Sequence, residues 1–170
     1  MTCVYVPAAN ASAVTKVDRQ HLQRIEDLSE ALANQLHRLS VFVLNRQLDS
    51  LGTHFDEKLS ATNIPPTGAL KQQIKWIYER PTSMPLEKGL GKRAFIDEWR
   101  RFLDQFSAIE DVRFKVKQAQ FESQSRPNSD RALAQIYFFV IGRDTAGLQS
   151  WAEAKAKLEA AADTSGFWKI

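Results

Sequence analysis

Between residues 152 and 160 the chain alternates without a break. Ala152, Ala154, Ala156, Leu158 and Ala160 are interleaved with Glu153, Lys155, Lys157 and Glu159. A period of two is the pattern of a strand with one dry and one wet face. The residue types point the other way: Ala, Glu, Lys and Leu are strong helix formers, and Glu153 stands four residues before Lys157, the spacing of a helical ion pair. As a helix, the segment would scatter its charges around the cylinder and offer the core only a narrow alanine stripe.

The neighbouring sequence decides between the two. "ALAQIYFFVIG" (132–142) is apolar enough for a central strand buried on nearly both faces, and "RDTAG" (143–147) is a turn of hairpin length. A returning antiparallel strand must follow, so the spacing predicts a strand. Its inward Ala152, Ala154 and Ala156 are too small to fill space. Either helices approach closely there or a cavity remains. "ADTSG" is a further turn, and "FWKI" (167–170) opens a last strand.

Upstream the period is helical. Leu22, Ile25, Leu28, Leu32, Leu36, Leu39 and Val43 recur at steps of three or four, one stripe of a long helix beginning near Asp18. Leu48, Leu51 and Phe55 continue as a second short helix, bent from the first around residues 45–47. "NIPPTG" (63–68) interrupts regular structure. "QIKWIYER" (73–80) reads as one strand with Ile74, Trp76 and Tyr78 on one side, followed by a loop through "PTSMPLEKGLG". Phe95, Ile96, Trp99, Phe102, Leu103 and Phe106 define a third helix, and Val112, Phe114 and Val116 alternate with Arg113, Lys115 and Lys117 in a strand. The expected fold is α+β: a cone-shaped, curved antiparallel sheet packed against three helices of the N-terminal half. Residues 1–17 read as a flexible tail and 18–170 as one domain.

Composition narrows the function classes. The net charge is +3, but 23 basic residues are dispersed among 20 acidic ones, which argues against a nucleic-acid footprint. No apolar run is long enough to insert through a bilayer. A single cysteine, Cys3, excludes an internal disulfide framework and lies in the presumed tail, far from any base that would activate it. His21, His37 and His54 have no pair at metal-ligand spacing, so no metal and no cofactor is expected. "KGLGKR" (88–93) precedes a helix but lacks the phosphate-loop spacing. The Arg113, Lys115 and Lys117 row reads as a solvated strand face.

Three stretches resemble the nuclear-transport-factor-two-like fold shared by ketosteroid isomerases, scytalone dehydratases and SnoaL-like cyclases: "NRQLDSLGTHFDEKL" (45–59), "GKRAFIDEWRRFLDQF" (91–106) and the hairpins running from "GRDTAG" (142–147) to "GFWKI" (166–170). Together they span about residues 35–170. The stretch from Leu90 to Phe121, with the hairpins, is similar to the domain that some bacterial proteins place ahead of FG-GAP repeats and an ASPIC/UnbV domain. That second likeness implies a larger extracytoplasmic protein.

An isomerase of this fold would need a Tyr on the first helix as oxyanion donor and an Asp after the second as base. Those positions fall near Leu39 and near Thr62 or Asn63, which supply neither group. A shift of a few residues brings Asp56 or Glu57 to the base position. His54 is the remaining acid–base candidate, and Tyr78, Trp99 and Tyr137 are candidates to line a pocket. The expectation is a non-catalytic ligand-holding or protein-interaction domain, with an isomerase, dehydratase or cyclase as the alternative. A small apolar ligand, a protein or a second copy of the chain are the partners it allows.

Overall fold

The computed structural model describes residues 19–64, 71–74, 77–79, 88–122, 130–163 and 166–170. The apolar stripe of the first helix, α1 (Arg19–Leu44), is buried at Leu28, Leu32, Leu36, Leu39 and Val43. Helix α1 ends where the pattern breaks. Arg46 takes the left-handed conformation (φ 54), its N–H donates to the Val43 carbonyl and that of Gln47 to the Phe42 carbonyl. These two bonds form a Schellman close that satisfies the last helical carbonyls and turns the chain into α2 (Leu48–Gly52). The bend therefore lies within the expected interval. The expected cap, Asp18, lies outside the described residues.

Among the described residues, four short strands, rather than one, separate α2 from α3. Strand β1 (Ala61–Thr62) pairs with β4 (Lys88–Leu90), and β2 (Lys71–Ile74) pairs with β3 (Ile77–Glu79). The single strand expected over 73–80 is thus replaced by two paired antiparallel strands, with Gln72 opposite Tyr78 and Ile74 opposite Ile77. Aromatic and β-branched residues favour extended backbone but do not say whether it runs on or folds back. Trp76 lies outside the described residues.

Helix α3 (Lys92–Leu103) buries Glu98, Trp99, Phe102 and Leu103. It leads into a strongly curled antiparallel sheet of β5 (Phe106–Glu122), β6 (Arg131–Asp144), β7 (Gln149–Ala162) and β8 (Trp168–Lys169), in chain order. This is the expected α+β arrangement, and the alternating segment is a strand. Strand β5 bends by bulging. Register shifts fall between Phe106 and Ala108, Ile109 and Asp111, and Val116 and Gln118. Each extra residue moves the core-facing positions by three instead of two, so Phe106, Ile109, Val112, Phe114, Val116, Ala119 and Phe121 all face the helices. Gly142 on β6 lies against the first bulges, where a Cβ would come within 2.2 Å of the Ala108 carbonyl oxygen.

Burial in the sheet differs from expectation on β6 and on β7. Strand β6 is buried on one face only: Ala132, Ala134, Ile136, Phe138 and Val140 are in the core, whereas Leu133 is 47% exposed and Tyr137, Phe139 and Ile141 are partly exposed. Central position in a sheet supplies neighbours in the plane, not a second covering layer. On β7, Ala154 and Ala156 are solvent-exposed and, among the described residues, face neither a helix nor a cavity, while the core covers the strand at Leu158 and Ala160 and in part at Ala152 and Ala162.

Polar side chains on the inward side of α1 tie it to the sheet. Ser40 donates to the Leu36 carbonyl and accepts the Phe114 N–H at 3.1 Å, while Arg24 pairs with the buried Asp130 at the start of β6.

Candidate functional site

His54 follows α2 and is 4% exposed, its ring between Phe42 (centroids 5.1 Å apart) and Phe167 (4.8 Å). Its backbone joins the end of the sheet, because the Ile170 N–H donates to the His54 carbonyl at 3.0 Å and the Asp56 N–H donates to the Ile170 carbonyl at 2.7 Å. Gln35 reaches both elements from α1. Its Nε2 donates to the Trp168 carbonyl at 2.9 Å and also meets His54 Nδ1.

This geometry fixes protonation. A carbonyl oxygen only accepts, so the nitrogen of the Gln35 amide must face Trp168, and its second hydrogen then points at Nδ1. The imidazole is held neutral with its proton on Nε2. Burial lowers the His54 pKa below its ordinary 6.5, and the positive charges of Arg38 and Lys169 lower it further. None of the described hydrogen-bond or ring partners of His54 is a carboxylate. Beside this cluster Ala31, Asn34, Gln35, Arg38, Gly166, Phe167 and Trp168 line an open depression of about 320 Å3. Chemically it offers a cation and amides at its rim, with the imidazole shielded behind Gln35 and Phe167.

Trp99 lies elsewhere, between α3 and the sheet. Its ring contacts Phe95, Phe102, Phe114 and Phe138 at centroid distances of 6.2, 5.8, 6.0 and 5.2 Å. These rings form one packed aromatic cluster between α3 and the sheet. The Trp99 Nε1–H is buried with no partner among the described residues. Tyr137 is on the opposite face of β6 from Phe138; its hydroxyl donates to Glu153, raising its pKa above the ordinary 10.0, and Lys117 sits 5.4 Å from its ring. The side chain of Tyr78, in β3, lies outside the described residues. Among the sequence candidates, His54, Trp99 and Tyr137 therefore occupy three separate places.

Leu39 is 2% exposed in the core, and Thr62 is exposed on β1. The Asp56 carboxylate accepts the Lys58 N–H at 2.8 Å, and Glu57 pairs with Lys92 at 2.5 Å. Both acids are exposed. In "KGLGKR", Gly89 has φ 84 within β4 and Gly91 precedes α3. Arg113 pairs with Asp111 at 2.8 Å on the exposed face of β5, beside Lys115 and Lys117. His21 and His37 are exposed, and Cys3 is outside the described residues. Among the described residues no three His, Cys, Asp or Glu side chains converge as metal ligands. No described helix is long and apolar enough to cross a membrane.

Gln35 was not singled out from the sequence. The signal was present, because Gln35 falls three residues after Leu32 on the apolar stripe of α1, where a polar side chain must find a buried partner.

No family model matches the chain, and no curated protein matches it. Two solved structures from Novosphingobium aromaticivorans share its architecture. One, described as a putative scytalone dehydratase, is 11% identical over 88% of this chain and 82% of its own, with a TM-score of 0.51. The other, an NTF2-like protein with a cystatin-like fold, is 13% identical over 89% and 84%, also with a TM-score of 0.51. Identity at this level carries the fold and not the chemistry. The curled sheet, the three helices and these two likenesses together establish that the chain adopts the nuclear-transport-factor-two-like fold.

Proposed function

We propose that this domain is a non-catalytic interaction module in which the cone serves as scaffold. The observation that carries the reading is the packing around Trp99, which is 6% exposed with Phe102, Phe114 and Phe138 against its ring. A reaction chamber needs space and an acid or base facing it. His54, the acid–base candidate, is instead committed to Gln35 outside that aromatic cluster. Exposed apolar side chains on the outer face of the sheet, Leu133 at 47% and Trp151 at 54%, are available for contact. The likeness of residues 90–121 to domains that precede FG-GAP repeats extends the proposal to a part within a larger extracytoplasmic protein.

A second reading is favoured by one atom. The Nε1–H of Trp99, without a partner among the described residues, is a donor suited to a carbonyl of a small ligand held in the cone. Native mass spectrometry of the purified chain separates the two. The scaffold reading expects polypeptide mass alone, in the chain and in Trp99→Phe alike. A stoichiometric small molecule that is retained by the chain and lost from Trp99→Phe would overturn it in favour of ligand holding.

A further inference from the structure

We propose that the free edge of β7 joins the same edge of a second copy of this chain, making one continuous antiparallel sheet. Strand β7 pairs with β6 from Gln149 to Ala161, but with β8 only at Ala161 and Ala162. Among the described residues, nothing hydrogen-bonds its other edge from residue 149 to residue 160. Ala162 N–H donates to the Asp130 carbonyl on the β6 side, and the pairing of β6 with β7 has no bulge. Even-numbered residues of β7 therefore bond β6, and the N–H and C=O of Trp151, Glu153, Lys155, Lys157 and Glu159 point outward. A row of unpaired backbone groups is a template for another strand.

The occupant is argued from charge. In a two-fold, antiparallel pairing centred on Ala154, Glu153 lies opposite the second copy's Lys155, and Lys155 opposite its Glu153. Trp151, 54% exposed, lies opposite the second copy's Lys157. Every pair is complementary. The neighbouring registers are not. Centring on Glu153 or Lys155 sets a charge against itself, and centring on Ala156 sets Lys155 against Lys157 and Glu153 against Glu159. Lysines on an edge commonly prevent pairing; with glutamates at the reciprocal positions they select one register instead. The exposed Ala154 and Ala156 leave the inner side of that register free of bulk. This proposal rests on the strand edge and is independent of the contents of the cone.

Light scattering of the full chain and disulfide trapping in a Cys3→Ser background test it together. A residue at the two-fold faces its own copy in a non-hydrogen-bonded pair about 4.5 Å apart between Cα atoms, within disulfide reach. Expected are a dimer at micromolar concentration, oxidation of Ala154→Cys to a covalent dimer, and little cross-linking of Ala152→Cys or Ala156→Cys alone. Lys155→Glu should weaken the dimer about tenfold, and Glu153→Lys with Lys155→Glu should restore it. These positions are exposed, and circular dichroism verifies that each variant folds. A monomer at tens of micromolar, or a dimer that Lys155→Glu leaves unchanged and Ala154→Cys traps no better than Ala152→Cys, overturns the proposal.

Discussion

The side-chain amide of Gln35 holds His54 in a single tautomer, because the same nitrogen that meets His54 Nδ1 also donates to the Trp168 carbonyl at 2.9 Å. A helix, the loop after α2 and the end of the sheet are thereby locked through one neutral imidazole. The folded His54 pKa lies below the unfolded value of 6.5, with burial the main cause and Arg38 and Lys169 adding to it. Below pH 6.5 the unfolded chain gains a proton that the folded chain refuses, so this contribution to stability is present above 6.5 and is lost as pH falls from there toward the folded pKa. Urea midpoints measured at stepped pH should decline through that window, with a slope of at most about 1.4 kcal/mol per pH unit. The component should be absent in His54→Gln.

Gly142 occupies a place in β6 that no side chain fits. A Cβ there would meet the Ala108 carbonyl oxygen at 2.2 Å and Phe106 Cδ1 at 3.0 Å. The first neighbour is backbone within a bulge and cannot rotate away. Gly142→Ala should lower the unfolding free energy by about 3 kcal/mol, at the upper end for overpacking, measured by urea denaturation.

Phe138 is 8% exposed and packs on Trp99, Phe102 and Phe114. Phe138→Ala should cost about 3–5 kcal/mol. If the cone relaxes only in part, the variant should bind an apolar probe such as benzene, detectable as a rise in melting temperature that the unmodified chain does not show.

Asp130 is buried and paired with Arg24, whose side chain is 50% exposed. Arg24→Ala strands a carboxylate at the start of β6, where the Asp130 carbonyl also accepts the Ala162 N–H at 2.9 Å. The expected loss is about 1–3 kcal/mol. Adding Asp130→Asn should recover part of it, and a double-mutant cycle from chemical denaturation measures the coupling.

Tyr137 donates its hydroxyl to Glu153 across the outer face of the sheet, which raises its pKa above 10.0. Removing the carboxylate with Glu153→Ala should return one tyrosine to the ordinary range. Ultraviolet titration of the two chains, compared by difference, checks this.

The elements most readable in the sequence were those with an unbroken period. The stripe from Leu28 to Val43 became α1, and the alternation from Ala152 to Ala160 became β7 despite its helix-forming composition. Less readable was β5, where three bulges change the step of the core-facing residues from two to three. A strict alternation captured Val112, Phe114 and Val116 but not Phe106, Ile109, Ala119 and Phe121. The candidate site was legible one residue at a time. His54, Trp99 and Tyr137 were each visible, but their separation depends on which face of β6 and which end of the sheet each approaches.

Local pattern thus set the identity and order of most elements, because burying one face of a helix or strand imposes a period on the chain itself. Tertiary structure decided what those periods leave open. It placed Gln35 against His54, packed Trp99 among its aromatic neighbours, and left the edge of β7 from residue 149 to residue 160 without a strand beside it among the described residues. Those outcomes depend on contacts between residues far apart in sequence, and no period within a single segment encodes them.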